Sequence, residues 1–463
     1  MRTIPVSSRT LSWEIIIGPL IALALLSSLL LVSLVLCPPA WSAPAAKPEV
    51  SPARPTVASQ AKPTAEPAAQ TVGTDTISVS DLVEPEAEIE AEAEVEGEIL
   101  LENGPGVEVR FGNTLRAFPL SRSGEEVGYE GGLAATFDRV DGLSLFLEQR
   151  FDHPTKLYPT VGLKTGYGFD SERWKYWMDF EQPLFSKESF SFGFAVYRIT
   201  ETFDREISGD VENSLTSLCL KTDYRDYFER EGALAFAKQK FWHYNTVSVQ
   251  YSEENHRSLD VTSKGFFYRH SRDFRLNPPV DEGKWKITSL AYEFNTTGDD
   301  LIRPMEIKKR VEYERGVNND VSDSEYTRLA ADVRAYLRLS PGQRLAVRLM
   351  AGATPSGTLP FQKEFAVGGL GTLNAHAYKE FRGDHMFLAN LEYGIATVKR
   401  FELILLADVG KAWYGSNATK DQRLEFDAGI GIGREEGLRL FIAKTVRETD
   451  SKAVWVLRLQ KPF

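Results

Sequence analysis

Residues 343–353 read QRLAVRLMAGA, and residues 326–339 just before them read YTRLAADVRAYLRL. In the first, Leu345, Val347, Leu349 and Ala351 share one parity, while Arg344, Arg348 and Gly352 share the other. In the second, Leu329, Val333, Ala335 and Leu337 alternate with Arg328, Asp332, Arg334 and Arg338. A period of two marks a β-strand, whose successive side chains leave opposite faces. RLEFDAGIGIG at 423–433 sorts the same way: Leu424, Phe426, Ala428, Ile430 and Ile432 oppose Arg423, Glu425, Asp427 and glycines. One face suits lipid and the other a wet or polar lumen.

Outward from this core, similar segments fill the chain from about Gly128 to the C-terminus, separated by turn residues. Each is roughly ten residues long, the length at which a tilted strand crosses a bilayer. Sixteen can be marked, an even number as a single-chain barrel requires. The least regular lie near 231–241, 243–254 and 284–297, and the last spans 452–463. The expected fold is all-β: a 16-stranded antiparallel transmembrane β-barrel. A soluble β-sandwich alternates too, but the export-type N-terminus, the strand length and the charges of both signs on the polar face favour the membrane.

Composition agrees. The chain has 463 residues, 42% of them hydrophobic, and a mean hydropathy of −0.27. A single long apolar run excludes a polytopic helical membrane protein. The net charge is −11, and ten carboxylates between Asp81 and Glu102, with no base among them, carry nearly all of it. The remaining body is close to neutral, so no basic field invites nucleic acid.

The N-terminal part divides by composition. Arg2 and Arg9 precede an apolar run from Ile15 to Cys37, and small residues follow at Ala40, Ser42, Ala43 and Ala45. Residues 1–43 read as a signal peptide cleaved near Ala43. An uncleaved anchor is the alternative, and a lipid anchor on Cys37 is opposed by the bulky Leu36. Residues 44–80 form a Pro/Ala-rich disordered linker and 81–103 an acidic low-complexity segment. Residues 104–127 precede the barrel, with Val107–Phe118 a short strand or a plug. The N-terminal extension is expected in the periplasm. After cleavage only Cys219 remains, so no intramolecular disulfide is expected.

The segment FAVGGLGTLNAHAYKEFRGDHMFLANLEYGI at 365–395 resembles the BamA/TamA superfamily of outer-membrane proteins, the bacterial surface antigen family. The matching residues are Phe365, Gly368, Gly369, Thr372 and Leu373, then Gly383 and Asp384, then Glu392 and Tyr393. LLADVGKAWYG continues the resemblance through Asp408 and Gly410, as do DAGIGIG, GLRLFIAKTV and the terminal KPF. FDRVDGL at 137–143 and DYRDYFEREG at 223–232 resemble pieces of the N-terminal half of such barrels. The resemblance implies a sixteen-stranded barrel over 128–463 whose loop after the eleventh strand folds into the lumen.

Two departures stand out. The family's loop carries an Arg-Gly-aromatic tip after an apolar residue; here Leu373 aligns and the tip is Asn374, Ala375 and His376. The family's arginine reaches carboxylates on the inner wall, and both persist as Glu392 and Asp408, which alternation turns inward. Two such carboxylates call for another base, with Lys379, Arg382, His376 or a lumenal arginine as candidates. The loop is expected to fold inward on that substitute. Secondly, residues 44–127 lack the pattern of the POTRA repeats that polypeptide-handling relatives carry, so the chain reads as a barrel-only member.

The closing strand AVWVLRLQKPF sets Trp455, Leu457, Leu459 and Phe463 in phase, resembling an assembly signal of outer-membrane barrels. Pro462 removes one donor there, either weakening a seam or capping the strand. The leading expectation is a barrel in the outer membrane of a Gram-negative-type bacterium that assists membrane assembly by polypeptide insertion or translocation. Its partners would be outer-membrane lipid and nascent outer-membrane proteins or secreted polypeptides. The alternative is a passive channel or structural barrel, with Arg328, Arg334, Arg338, Arg344, Arg348, Arg423, Arg439 and Arg458 giving anion preference or pairing with carboxylates to fill the lumen. No enzyme is expected: the six histidines show no metal-ligand or catalytic spacing, no phosphate or dinucleotide fingerprint occurs, and no metal, cofactor or catalytic residue is assigned.

Overall fold

The computed structural model describes residues 128–459, apart from 153–156, 186–188, 266, 268–272, 298–304, 321–323, 398–400, 416–422, 435–436 and 448–450. The expected signal peptide, linker, acidic segment and pre-barrel segment lie outside the described residues, as do Pro462 and Phe463.

Sixteen antiparallel strands form one sheet in sequence order. The first eight are β1 (Gly128–Asp138), β2 (Gly142–Asp152), β3 (Thr160–Gly168), β4 (Arg173–Leu184), β5 (Phe190–Glu201), β6 (Phe228–Phe241), β7 (Asn245–Ser258) and β8 (Gly283–Asn295). Then come β9 (Met305–Asn318), β10 (Glu325–Ser340) and β11 (Gln343–Ala353). Two short strands, β12 (Phe365–Val367) and β13 (Phe381–Gly383), pair only with each other. The sheet resumes with β14 (His385–Ala396), β15 (Glu402–Trp413), β16 (Glu425–Gly433), β17 (Arg439–Thr445) and β18 (Val454–Arg458). Among the described residues one α-helix, α1 (Asp210–Leu220), interrupts the segment between β5 and β6.

The strand count and order agree with the alternation. The differences sit where the pattern was least regular: β6 begins at Phe228 and β7 runs on to Ser258. The closing strand is shorter than expected, ending at Arg458 within the described residues.

The sheet curls into a barrel, because one segment touches strands far apart in it. Residues 202–227 contact β1 through Phe137, β10 through Arg334, β11 through Arg348 and β18 through Arg458. Only a sheet wrapped around that segment offers all four. The two faces are inverted relative to a soluble sandwich. On β4, Trp174 is 65% exposed while its neighbour Lys175 is 6% exposed. Leu133, Phe194, Leu290, Leu391, Ile430 and Trp455 also point outward, whereas Glu254, Glu314, Arg348, Asn390, Asp408 and Arg439 are buried inside. An apolar exterior around a charged interior is stable in lipid and not in water, so this is a transmembrane barrel.

The interior is less uniformly polar than alternation alone predicts. Two apolar patches line it: Trp285, Ile287, Tyr326, Met386 and Leu388, and Ile404, Leu406, Phe441, Ala443 and Val456. Each receives a leucine from the loop between β11 and β14, Leu373 in the first and Leu370 in the second. Burial of each contributes about 1.5–3 kcal/mol, which is why these wall positions are apolar.

Candidate functional site

The loop 354–384 folds into the lumen. Its entry needs glycine: Gly368 has φ 128°, and a Cβ there would lie 2.5 Å from the Ala377 carbonyl oxygen. Thr372 Oγ1 accepts the Gly368 N–H (2.9 Å) and donates to the Gly369 carbonyl (3.1 Å), which closes the turn. Gly369 also has a positive φ. Gly383 sits against the Trp413 backbone, where a side chain would collide. Asp384 accepts the Gly415 N–H (2.7 Å) at the loop's exit.

The turn delivers Asn374, Ala375 and His376 to the inner wall. Register places Asn390, Asp408 and Asp427 side by side on β14, β15 and β16. Asn374 donates to Asp408 from its side-chain amide (2.8 Å) and its backbone N–H (3.4 Å). Asn390 donates to the other Asp408 oxygen (2.7 Å) and to the Thr372 carbonyl (2.7 Å). The Ala375 N–H donates to Asp427 (2.8 Å), and His376 Nδ1 lies 3.1 Å from the same carboxylate. The position aligned with the family's arginine thus holds the wall through an amide.

The substitute-base expectation is corrected in part. Glu392 pairs with a lumenal arginine, Arg439, at 2.5 Å. Asp408 is met by amides, so the two wall carboxylates are handled separately. Lys379 and Arg382 turn away from both. Lys379 reaches Asp204 (2.7 Å) and Asp226 (2.9 Å), and Arg382 reaches Asp226 (3.0 Å). These aspartates belong to residues 202–227, so the inward loops grip each other.

That second inward segment was not foreseen as part of a site. Arg139, in the turn after β1, is fully buried and reaches Asp223 (3.2 Å), Asp226 (3.3 Å) and Asn277 (3.0 Å). It joins the two N-terminal motifs, FDRVDGL and DYRDYFEREG, that the sequence offers only separately. Burial alone would raise the Asp226 carboxyl, but Lys379 and Arg275 beside it hold it below the ordinary carboxylate range. Asp210 is held low in the same way by Arg225, 2.5 Å away, and by Arg205.

Of the eight lumenal arginines, most are engaged. Arg334 and Arg348 share Asp332 (2.7 Å each) and both reach Glu206. Arg344 pairs with Glu402 (2.6 Å), and Arg458 with Glu212 (3.4 Å). Arg328 lies over the Phe365 ring. Arg338 and Arg423 are exposed near the ends of β10 and β16, and Arg338 keeps the parity of Arg334 and stands opposite Arg344 in register. Between α1, β1 and β5 a cavity of about 40 Å³ remains, and near Phe203 and Phe361 one of about 30 Å³; these have room for waters and nothing larger.

The two ends of the sheet meet at α1. Ser214 Oγ accepts the backbone N–H of Phe137 on β1 (3.1 Å). Glu212 Oε1 accepts the N–H of Leu459, just past β18 (2.8 Å). Arg458 also donates to the Ile207 carbonyl (2.9 Å). Trp455 and Leu457 of the closing strand face outward.

Residues 111–298 match a family of unknown function (DUF5686), its C-terminal domain. No curated protein matches the chain. Among solved structures, the chain is similar to BamA from Haemophilus ducreyi lacking POTRA domains 1–3, at 14% identity and a TM-score of 0.49, over 73% of this chain and 71% of that one. It is also similar to CdiB from Acinetobacter baumannii, at 13% identity and a TM-score of 0.42, over 73% and 59%. For CdiB from Escherichia coli the values are 9% and 0.36, over 73% and 63%.

Proposed function

We propose that this chain is an outer-membrane barrel of the BamA/TamA type that assists membrane assembly, by inserting or moving polypeptides at the seam between its first and last strands. The observation that carries this is the mismatch of the sheet's ends. β1 offers eleven residues, all paired with β2 on one side, whereas within the described residues β18 pairs with β17 over five. A long strand edge beside a short one leaves backbone N–H and C=O groups able to template an incoming strand. Lipid would bathe the apolar exterior, and nascent outer-membrane or secreted polypeptides would be the substrates.

A passive channel is the lesser reading, because five of the eight arginines that would line a pore, Arg334, Arg344, Arg348, Arg439 and Arg458, pair with loop and wall carboxylates. The direct test is insertion of a small test barrel protein into liposomes carrying the purified full chain, against empty liposomes and against Asn374→Arg. Acceleration by the unaltered chain is expected. Equal rates in all three would overturn the proposal and favour a structural barrel.

A further inference from the structure

The geometry points to α1 as a latch, held inside the lumen, that keeps the two ends of the sheet together; the seam opens only when it lets go. This concerns regulation of the seam proposed above and to that extent rests on that reading.

Three observations carry it. First, α1 holds both ends at once: Ser214 takes a backbone donor of β1, and Glu212, two residues away, takes the donor just past β18. Residues two apart in a helix are offset by about 3 Å along its axis but project from nearly opposite sides of it, so α1 lies between the two strand ends and touches each with a different face. Secondly, the contact to the last strand is double. Glu212 Oε1 accepts the Leu459 N–H, a bond its charge strengthens, and lies 3.4 Å from Arg458 Nε as an ion pair without a hydrogen bond. Thirdly, the face α1 turns toward the barrel is polar. Asp210, Glu212, Asn213, Thr216 and Ser217 are buried, while Leu215 and Leu220 are exposed. A helix seated by hydrogen bonds and ion pairs can be released by exchanging partners with water or with polar backbone. One seated on apolar area would instead have to expose that area.

The latch is wired to the other inward loop. Asp204 and Asp226 flank α1 in sequence and are the residues that Lys379, Tyr378 and Arg382 hold. A polypeptide entering the lumen and displacing loop 354–384 would therefore pull on the segment that carries the latch. An incoming strand that pairs with β1 competes for the Phe137 N–H directly. Occupancy by substrate and opening of the seam are thereby coupled through one short segment.

The test measures the seam itself. In the full chain with Cys37→Ser and Cys219→Ser, spin labels are placed on Leu133→Cys of β1 and Leu457→Cys of β18, both outward-facing, and their separation is measured in liposomes. Glu212→Ala with Ser214→Ala should raise the population at long separation roughly tenfold, equivalent to about 1.4 kcal/mol, with heat-modifiable migration retained. If that pair of changes prevents folding, Glu212→Gln is read by the same distance and gives a smaller rise. An unchanged distance distribution in a folded variant overturns the latch. Opening without faster insertion of the test barrel leaves the latch standing and overturns the assembly reading.

Discussion

The two segments that fold into the lumen are held there by different chemistry. The tip of loop 354–384 hangs on Asp408 and Asp427 by amide and backbone donors, with leucines pressed into apolar patches of the wall. Residues 202–227 are held by guanidinium and ammonium groups on carboxylates: Arg139, Arg348, Lys379, Arg275 and Arg458. Each loss at the tip removes one neutral donor of several, so Asp408 keeps Asn390 and the Asn374 N–H if the Asn374 amide goes. Ion pairs do the opposite, since removing one partner strands the other in a place water does not reach. The first loop should tolerate single changes, and the second should fail at them.

Arg139→Ala is expected to have the largest effect. It strips Asp223 and Asp226 of a fully buried cation, a loss of about 3–5 kcal/mol, and heat-modifiable folding measured on cold gels should fall sharply. A variant that folds as well as the unaltered chain would break the comparison. Asn374→Ala should cost about 1–3 kcal/mol, because the buried Asp408 loses one of its amide partners. Faster protease cleavage of loop 354–384, with the barrel still formed, would show it.

Acid gives a third, smaller test. Asp210 and Asp226 are both depressed in the folded chain; burial opposes ionisation, but Arg225 and Arg205, and Lys379 and Arg275, outweigh it. A depressed carboxylate contributes its stability above its unfolded value, near about 4, and loses it as pH falls further through the folded value. Protease protection of residues 202–227 should therefore hold from neutral pH down to about 4 and decline only below that; loss above pH 5 would show that these pairs do not hold the segment. Arg315→Ala, which removes an exposed pair with Glu325 at 3.1 Å, should change the unfolding free energy, read from denaturant titration, by less than about 0.5 kcal/mol.

The barrel was legible because alternation is a local signal repeated along every strand. It turned Glu392 and Asp408 inward correctly, since parity alone decides which face a residue takes. It could not say which base each would meet, because Arg439 lies 47 residues from Glu392 and the lumen offers many arginines. The helix was invisible for a different reason. Sequence reading finds helices by an apolar stripe that faces a core, but the surroundings of α1 are polar, so its buried face is Asp210, Glu212, Asn213, Thr216 and Ser217. DVENSLTSLCL therefore looks like an irregular loop. The useful signal was nearby: Asp204, Asp223 and Asp226, with Arg205 and Arg225, concentrate both signs of charge in a stretch too irregular to be a strand.

The bond between Glu212 and Leu459 spans 247 residues. Closing so long a chain is slow relative to forming neighbouring hairpins. Each earlier strand pairs with its neighbour in sequence, whereas this contact needs β18 in place. In the order of assembly, α1 finds this partner only after β18 has joined the sheet. A chain truncated before Arg458 would carry an almost complete sheet and an unanswered carboxylate inside it.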